Sequence, residues 1–195
     1  MEAIFLLLGA MLRIATPILF AALGETIIER AGVLNLGIEG TMLLSAFTGF
    51  LAAQLTGSLW IGLLVAILTG IVLSLLLGFL TVTLGLNQHV SGLGITLLAS
   101  GFALYTFRIV YGGSMTPPSL ETSIPLLAIA KGTWLEPLFS QYWLTYLAVA
   151  LVPLLGWLLS HTRFGLRVRS VGMNPEAADV AGVNVYRVRY QALIL

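Results

Sequence analysis

From residue 40 to residue 107 the chain runs through 68 positions without an Asp, Glu, Lys or Arg. Charged side chains make up about 25% of soluble domains. Here they are 9% of 195 residues, and 58% are hydrophobic. So long an uncharged stretch demands a bilayer. A helix needs about 20 mainly apolar residues, at about 1.5 Å rise each, to cross a hydrocarbon core of about 30 Å. The chain therefore reads as one all-α polytopic membrane domain over 1–195, with about five complete transmembrane helices and the start of a sixth.

The expected spans cover residues 3–23, 31–55, 59–84, 90–111 and 142–159, and the apolar run 190–195 begins the sixth. That run is too short to cross, which predicts a chain cut off inside a further helix. The opening lacks the basic n-region of a secretory signal, and its apolar run continues past signal-peptide length, so the first span reads as retained. Arg13 lies near the middle of this span, with Pro17 one turn later. A mid-bilayer arginine costs about 2.5 to 3.5 kcal/mol on insertion scales unless it faces protein or water. One face of the first helix is therefore predicted to be protein-lined.

In the second span Gly32, Gly37 and Gly40 crowd the first half, and glycine lowers helix propensity. A broken or re-entrant segment is predicted there, tolerated only where it is buried in protein or lines a cavity. Gly70, Ser74 and Gly78 in the third span recur at four-residue spacing, as do Gly92, Thr96 and Ser100 in the fourth. Such small faces let neighbouring helices approach closely.

Orientation follows from positive charge, which concentrates near cytoplasmic span ends. Arg163, Arg167, Arg169, Arg187 and Arg189 are five of the nine basic residues, so the loop 161–189 is predicted to be cytoplasmic. Counting back places the connector 112–141 outside, Asn87-Gln88-His89 inside, 56–58 outside, 25–30 inside and the N-terminus outside. The polar punctuation 25–30 carries two acids and one arginine and lends this no support. The extracytoplasmic loop 112–141 holds Pro117, Pro118, Pro125 and Pro137 around an apolar patch at 124–130. It is too long for a turn and is expected to carry a short interfacial helix or to dip into the membrane.

Within the basic loop, Asn174 precedes Pro175-Glu176-Ala177-Ala178-Asp179-Val180-Ala181, and Gly182 follows. Asparagine is a good N-cap, proline suits the first helical position, acids complement the positive helix end, and glycine suits the left-handed residue beyond the last turn. A two-turn helix flanked by arginines is predicted. Alone in water it would be marginal. Either it docks on a soluble partner, or it is an ordinary connector whose arginines set topology.

The run Arg163-Phe164-Gly165-Leu166-Arg167-Val168-Arg169-Ser170-Val171-Gly172-Met173-Asn174-Pro175-Glu176-Ala177-Ala178 resembles the cytoplasmic loop of ABC-transporter permeases of the ribose and branched-chain amino-acid group. Glu176-Ala177-Ala178 followed by Gly182 is similar to the EAA motif of importer permeases, without its Ile-x-Leu-Pro continuation. Ala31-Gly32-Val33-Leu34-Asn35-Leu36-Gly37-Ile38-Glu39-Gly40 resembles the family's second-helix signature, in the form of the nucleoside and simple-sugar subgroup. Asn87-Gln88-His89-Val90-Ser91-Gly92 and Tyr111-Gly112-Gly113 fit the same subgroup, so the resemblance covers nearly the whole chain. Members of the family are considerably longer.

The resemblance implies a permease subunit of an ATP-driven importer in a bacterial or archaeal cytoplasmic membrane. A second permease subunit, making a heterodimer, would complete the pathway. ABC ATPase subunits using ATP and Mg would bind inside, and an extracytoplasmic substrate-binding lipoprotein would deliver a nucleoside, a simple sugar or, third in order, a branched-chain amino acid. The chain itself would be no enzyme and would bind no cofactor. The capped helix would be a coupling helix, with Arg167, Arg169, Asn174, Glu176, Ala177, Ala178, Asp179 and Gly182 as the ATPase-coupling residues. Arg167 and Arg169 either pair with the ATPase or enforce topology.

Four polar residues are candidates for the substrate path, each with a structural alternative. Glu39 touches substrate or holds Arg13 in a buried pair, since either charge alone is expensive in the bilayer. Asn35 faces a hydroxylated ligand or ties up backbone groups in a broken helix. Thr96 and Ser100 meet substrate hydroxyls or simply make helix contacts. His89, Ser91 and Ser100 invite an intramembrane hydrolase, but a dyad requires hydrogen-bond geometry that spacing does not supply. With no cysteine and two histidines, a metal centre is not expected. A net charge of +1 without a basic tract argues against nucleic acid. No GxxxxGK[ST] loop is present, which fits a permease that borrows its ATPase and equally an ATP-independent channel or secondary transporter.

Overall fold

Long apolar runs with few breakers become long helices. A computed structural model, which describes residues 2–112, 126–128 and 139–195, has five long and apolar enough to cross a membrane. These are α1 (Glu2–Arg30), α2 (Ile38–Thr56), α3 (Leu59–Gly78), α4 (Gln88–Tyr111) and α5 (Trp143–His161). Three shorter helices follow: α6 (Arg163–Met173), α7 (Pro175–Val180) and α8 (Val185–Ile194). Strands β1 (Leu126–Ala128) and β2 (Ser140–Tyr142) pair antiparallel, with Leu126 opposite Tyr142. The chain is an α-helical multi-pass membrane protein.

The five spans alternate in direction. Trp60 and Trp143, at the starts of α3 and α5, have ring centroids 5.8 Å apart, and the Tyr111 hydroxyl at the end of α4 donates to Gln54 near the end of α2. Those ends share one face, where tryptophan suits the bilayer boundary. At the other face Gln88 accepts from Leu34 N, Thr83 meets Tyr190 of α8, and the arginine-rich helices gather.

Several expected boundaries move. Residues 25–30 are not a loop: α1 continues to Arg30 because Ile27 and Ile28 are buried, so the core holds that turn helical. The helix stops at Gly32, whose φ is +77°. Gly32 N donates to Glu29 O at 2.9 Å and Val33 N to Ile28 O at 3.2 Å, a Schellman termination. The second span accordingly starts at Ile38, and residues 31–37 form a non-helical break whose Ala31, Val33, Asn35 and Gly37 are buried. The third span ends in a π-helical turn, Phe79–Thr83, in which Leu84 N reaches Phe79 O at 3.0 Å. Residues 126–128 form a strand, satisfying their backbone on β2, where an interfacial helix or a dip was expected. The rest of that expectation lies outside the described residues. The basic loop is largely helical, because α6 fills 163–173.

Arg13 does not pair with Glu39. Its Nε donates to Gln141 Oε1 at 3.1 Å, its second guanidinium nitrogen to Ser140 O at 3.1 Å, and the group lies 5.8 Å from the Tyr142 ring centroid. Gln141 is itself 2% exposed and donates to Gly9 O at 3.3 Å. One helical turn further on, Thr16 and Thr145 share a buried hydroxyl contact at 3.0 Å. The predicted protein-lined face of α1 is thus supplied by β2 and α5.

Helices α2 and α3 meet along Gly49 and Ala53 of one and Gly62 and Ala66 of the other. A Cβ on Gly49 would lie 2.9 Å from the Ala66 Cβ, and one on Gly62 would lie 2.7 Å from the Ala53 Cβ. The Gly70, Ser74 and Gly78 face divides: Gly70 approaches Ser45, whereas Gly78 receives Tyr190 and Leu193 of α8. Among the described residues, buried side chains form two clusters. One joins α2, α3 and α4 with Ile28 of α1, Val33 and Leu193; the other joins α1, α5, α6 and α7 with Val188 and Ala192.

Candidate functional site

Three caps set the arginine-rich end into sharply connected helices. Thr162 Oγ1 accepts from Gly165 N at 3.1 Å to start α6. Asn174 Oδ1 accepts from Ala177 N at 3.0 Å to start α7, and its own N–H closes α6 on Ser170 O at 3.0 Å. Asn184 Oδ1 accepts from Arg187 N at 2.9 Å to start α8. Helix α7 terminates as its sequence predicts. Gly182 has φ +82°, its N–H donates to Asp179 O at 2.8 Å, and Val183 N donates to Ala178 O at 2.9 Å, a second Schellman motif.

Apolar packing fixes this unit on the spans. Val168 and Val171 of α6 are fully buried with Ile27 of α1, Ala31 just beyond it, Leu159 of α5 and Val188 of α8. Glycine allows the approach: a Cβ on Gly172 would collide with the Arg30 carbonyl, and one on Gly165 with the Leu158 and Leu159 carbonyls. Arg189 Nε donates to Ala31 O at 3.3 Å, tying α8 to the end of α1.

Outward from that base, α7 presents Glu176, Ala177 and Asp179 to solvent. Ala178 faces inward at 5% exposure, so it is a packing residue within the motif. Arg167 is exposed. Arg169 is half-buried, with an Nε that is buried and has no hydrogen-bond partner. Sequence reasoning missed Met173, the last residue of α6, and Val180, the last of α7, at 87% and 92% exposure, and Tyr186, also exposed. An alternation of buried Gly165, Val168 and Val171 with exposed Leu166 and Met173 was the available signal, because helical faces repeat every three to four residues.

The break between α1 and α2 is held by side chains from three places. Asn35 N donates to Glu25 Oε1 at 2.9 Å, Leu34 N to Gln88 Oε1 at 2.8 Å, and Gly37 N to Asn35 Oδ1 at 2.9 Å. Buried irregular backbone must find partners or cost free energy, and these are the partners. Asn35 therefore bonds the chain itself. Thr96 Oγ1 contacts Leu36 O at 3.2 Å and Gly92 O at 3.3 Å, and Ser100 Oγ donates to Thr96 O at 2.6 Å. A Cβ on Gly40 would lie 2.5 Å from the Thr96 Cα, so α2 and α4 nearly touch there. Glu39, on the first turn of α2, is exposed. Ser91 is buried and His89 exposed.

Comparison with known proteins places these features in a group. Residues 7–195 match the family described as branched-chain amino acid transport system, permease component. A guanosine ABC transporter permease protein of Bacillus subtilis is 34% identical over 100% of this chain and 64% of its own length. A nucleoside ABC transporter permease protein of Lactococcus lactis subsp. cremoris is 32% identical over 97% of this chain and 63% of its own. A provisionally named glucose ABC transporter permease protein of Haloferax volcanii is 40% identical over 97% of this chain and 58% of its own. The chain spans less than two thirds of the length of each. No solved structure matches it.

Proposed function

The chain belongs to the family of branched-chain amino acid transport system permease components, and on that footing we propose that it is the membrane-spanning subunit of an ATP-driven importer for nucleosides or simple sugars. Carrying the reading is α7, a capped helix whose outer residues are open to solvent while Ala178 anchors it in a core shared with α1 and α5. An ABC ATPase bound against Val180, Glu176 and Met173 grips this unit. Movement of the ATPase then reaches two spans directly, because Gly172 abuts Arg30 and Gly165 abuts Leu159. ATP and Mg belong to that partner. The chain contributes a lever and part of a pathway and carries out no chemistry.

Exposed Glu39 supports a pathway beside α2. A carboxylate on the open face of a membrane-spanning helix is expensive against lipid, so water or a second permease subunit lies against α2. A heterodimeric partner and an extracytoplasmic substrate-binding lipoprotein complete the importer. Nucleoside is the first choice of substrate, from the guanosine and nucleoside names of the Bacillus and Lactococcus relatives. Sugar is second, from the Haloferax relative.

Uptake of labelled guanosine and glucose into proteoliposomes holding the full-length permease pair, ATPase and binding protein tests this. Accumulation that needs internal ATP, together with crosslinking of the ATPase from Ala177→Cys, is expected. Equilibration of either solute without ATP would replace the importer with a facilitated pathway.

A further inference from the structure

We propose that the ends of α1 and α5, together with Arg169 of α6, hold one anionic phospholipid between them. A cavity of about 400 Å³ opens there. Its walls are apolar, with Leu23 on α1 and Val152 and Leu155 on α5, and its mouth carries Arg30 and Arg169 with the Ser160 hydroxyl. No acidic residue lines it. From Leu23 to Arg30 the groove follows α1 for about 10 Å at about 1.5 Å per residue. It therefore reaches from the membrane–water boundary well into the hydrocarbon layer.

The two ends of this groove ask for different chemistry, and one molecule supplies both. Arg169 Nε is covered by protein and has no hydrogen-bond partner, so the protein leaves this guanidinium incompletely satisfied, and its other nitrogens, on a half-buried side chain lining the cavity, are the donors for a headgroup. A phosphate oxygen is the acceptor that guanidinium geometry fits best. Below the mouth, the apolar walls offer nothing to a free anion and much to an acyl chain. Two cations facing one headgroup select a net negative lipid over a zwitterionic one, which would bring a cation of its own. Basic pockets between spans on the cytoplasmic side are established lipid-headgroup sites in membrane proteins generally. The proposal needs only that the five helices cross a bilayer. Failure of ATP-dependent uptake and failure of lipid selectivity are therefore separate results.

The test uses the full-length permease complex, purified in detergent and stripped of lipid. Phosphatidylglycerol, phosphatidylcholine with the same acyl chains, and inorganic phosphate are added in turn, and binding is read by native mass spectrometry and thermal shift. Phosphatidylglycerol alone should stay bound and raise the melting temperature. Arg30→Gln with Arg169→Gln should weaken that binding by about tenfold or more, while Arg167→Gln, outside the groove, should not. Val152→Trp, which fills the apolar wall and keeps both arginines, should also expel the lipid. Equal binding of the two lipids, stabilisation by phosphate alone, or no change in the double variant would overturn the proposal. So would a photocrosslinker at Val152 that captures a protein segment in place of lipid.

Discussion

Gly172 of α6 lies directly against the backbone carbonyl of Arg30, with no room between them for a single methyl group. The last turn of α1 and the amphipathic helix beneath it therefore behave as one piece. Gly172→Ala should force them apart at a cost of about 1 to 3 kcal/mol, the usual range for overpacking. Thermal unfolding of the purified complex should show a lowered melting temperature, with a further loss for Gly172→Val.

Val180 projects at 92% exposure, so changing it should leave folding nearly untouched. Val180→Asp is expected to insert normally yet weaken ATPase binding by about tenfold or more, the scale of one significant interface residue. Co-purification and ATP-dependent uptake should fall together. Normal uptake with Val180→Asp would move the docking surface elsewhere.

Asn174 closes one helix and opens the next. Asn174→Ala removes the side-chain acceptor at a cost of about 0.5 to 2 kcal/mol, whereas Asn174→Asp retains it. Hydrogen exchange should quicken across 175–183 in the alanine variant alone, and transport coupling should weaken in parallel.

Gln88 accepts from Leu34 N across the break between α1 and α2. Gln88→Ala leaves that N–H without its acceptor, a penalty of about 1 to 3 kcal/mol. Gln88→Glu keeps the acceptor and should retain more stability. A melting-temperature series over the two variants reads this out.

Arg13 and Gln141 form a charge-assisted hydrogen bond. A double-mutant cycle with Arg13→Leu and Gln141→Leu should give a coupling energy of about 1.5 to 3 kcal/mol, as for hydrogen bonds to charged groups. The same cycle between Arg13 and Glu39 should give a value near zero.

Features that depend on neighbours in sequence were legible without the structure. The cap at Asn174, proline at Pro175 and left-handed Gly182 bracket α7 because each acts within one turn. Span number followed from hydropathy, which the bilayer enforces wherever the chain crosses. Partnerships across the fold were hidden. Charge alone pointed Arg13 to Glu39, yet a neutral amide from β2 meets it. Glu25 and Gln88 looked like boundary residues, and nothing local marks them as holding Asn35 and Leu34. The arginines of α6 disguised its buried Val168 and Val171 as loop. The placement of Ala178 inside and Val180 outside needed the packing of α7 on α6.

Helices α1 and α8 both reach the two apolar clusters, with Ile28 and Leu193 on one side and Ile27, Val188 and Ala192 on the other. A tug delivered to the arginine-rich base reaches the first and fifth spans at once, and the second, third and fourth through two joints, Ile28 at the end of α1 and the seat of α8 beside Gly78. Stiffness of those two joints decides whether the two halves of the bundle travel in concert or slip past each other.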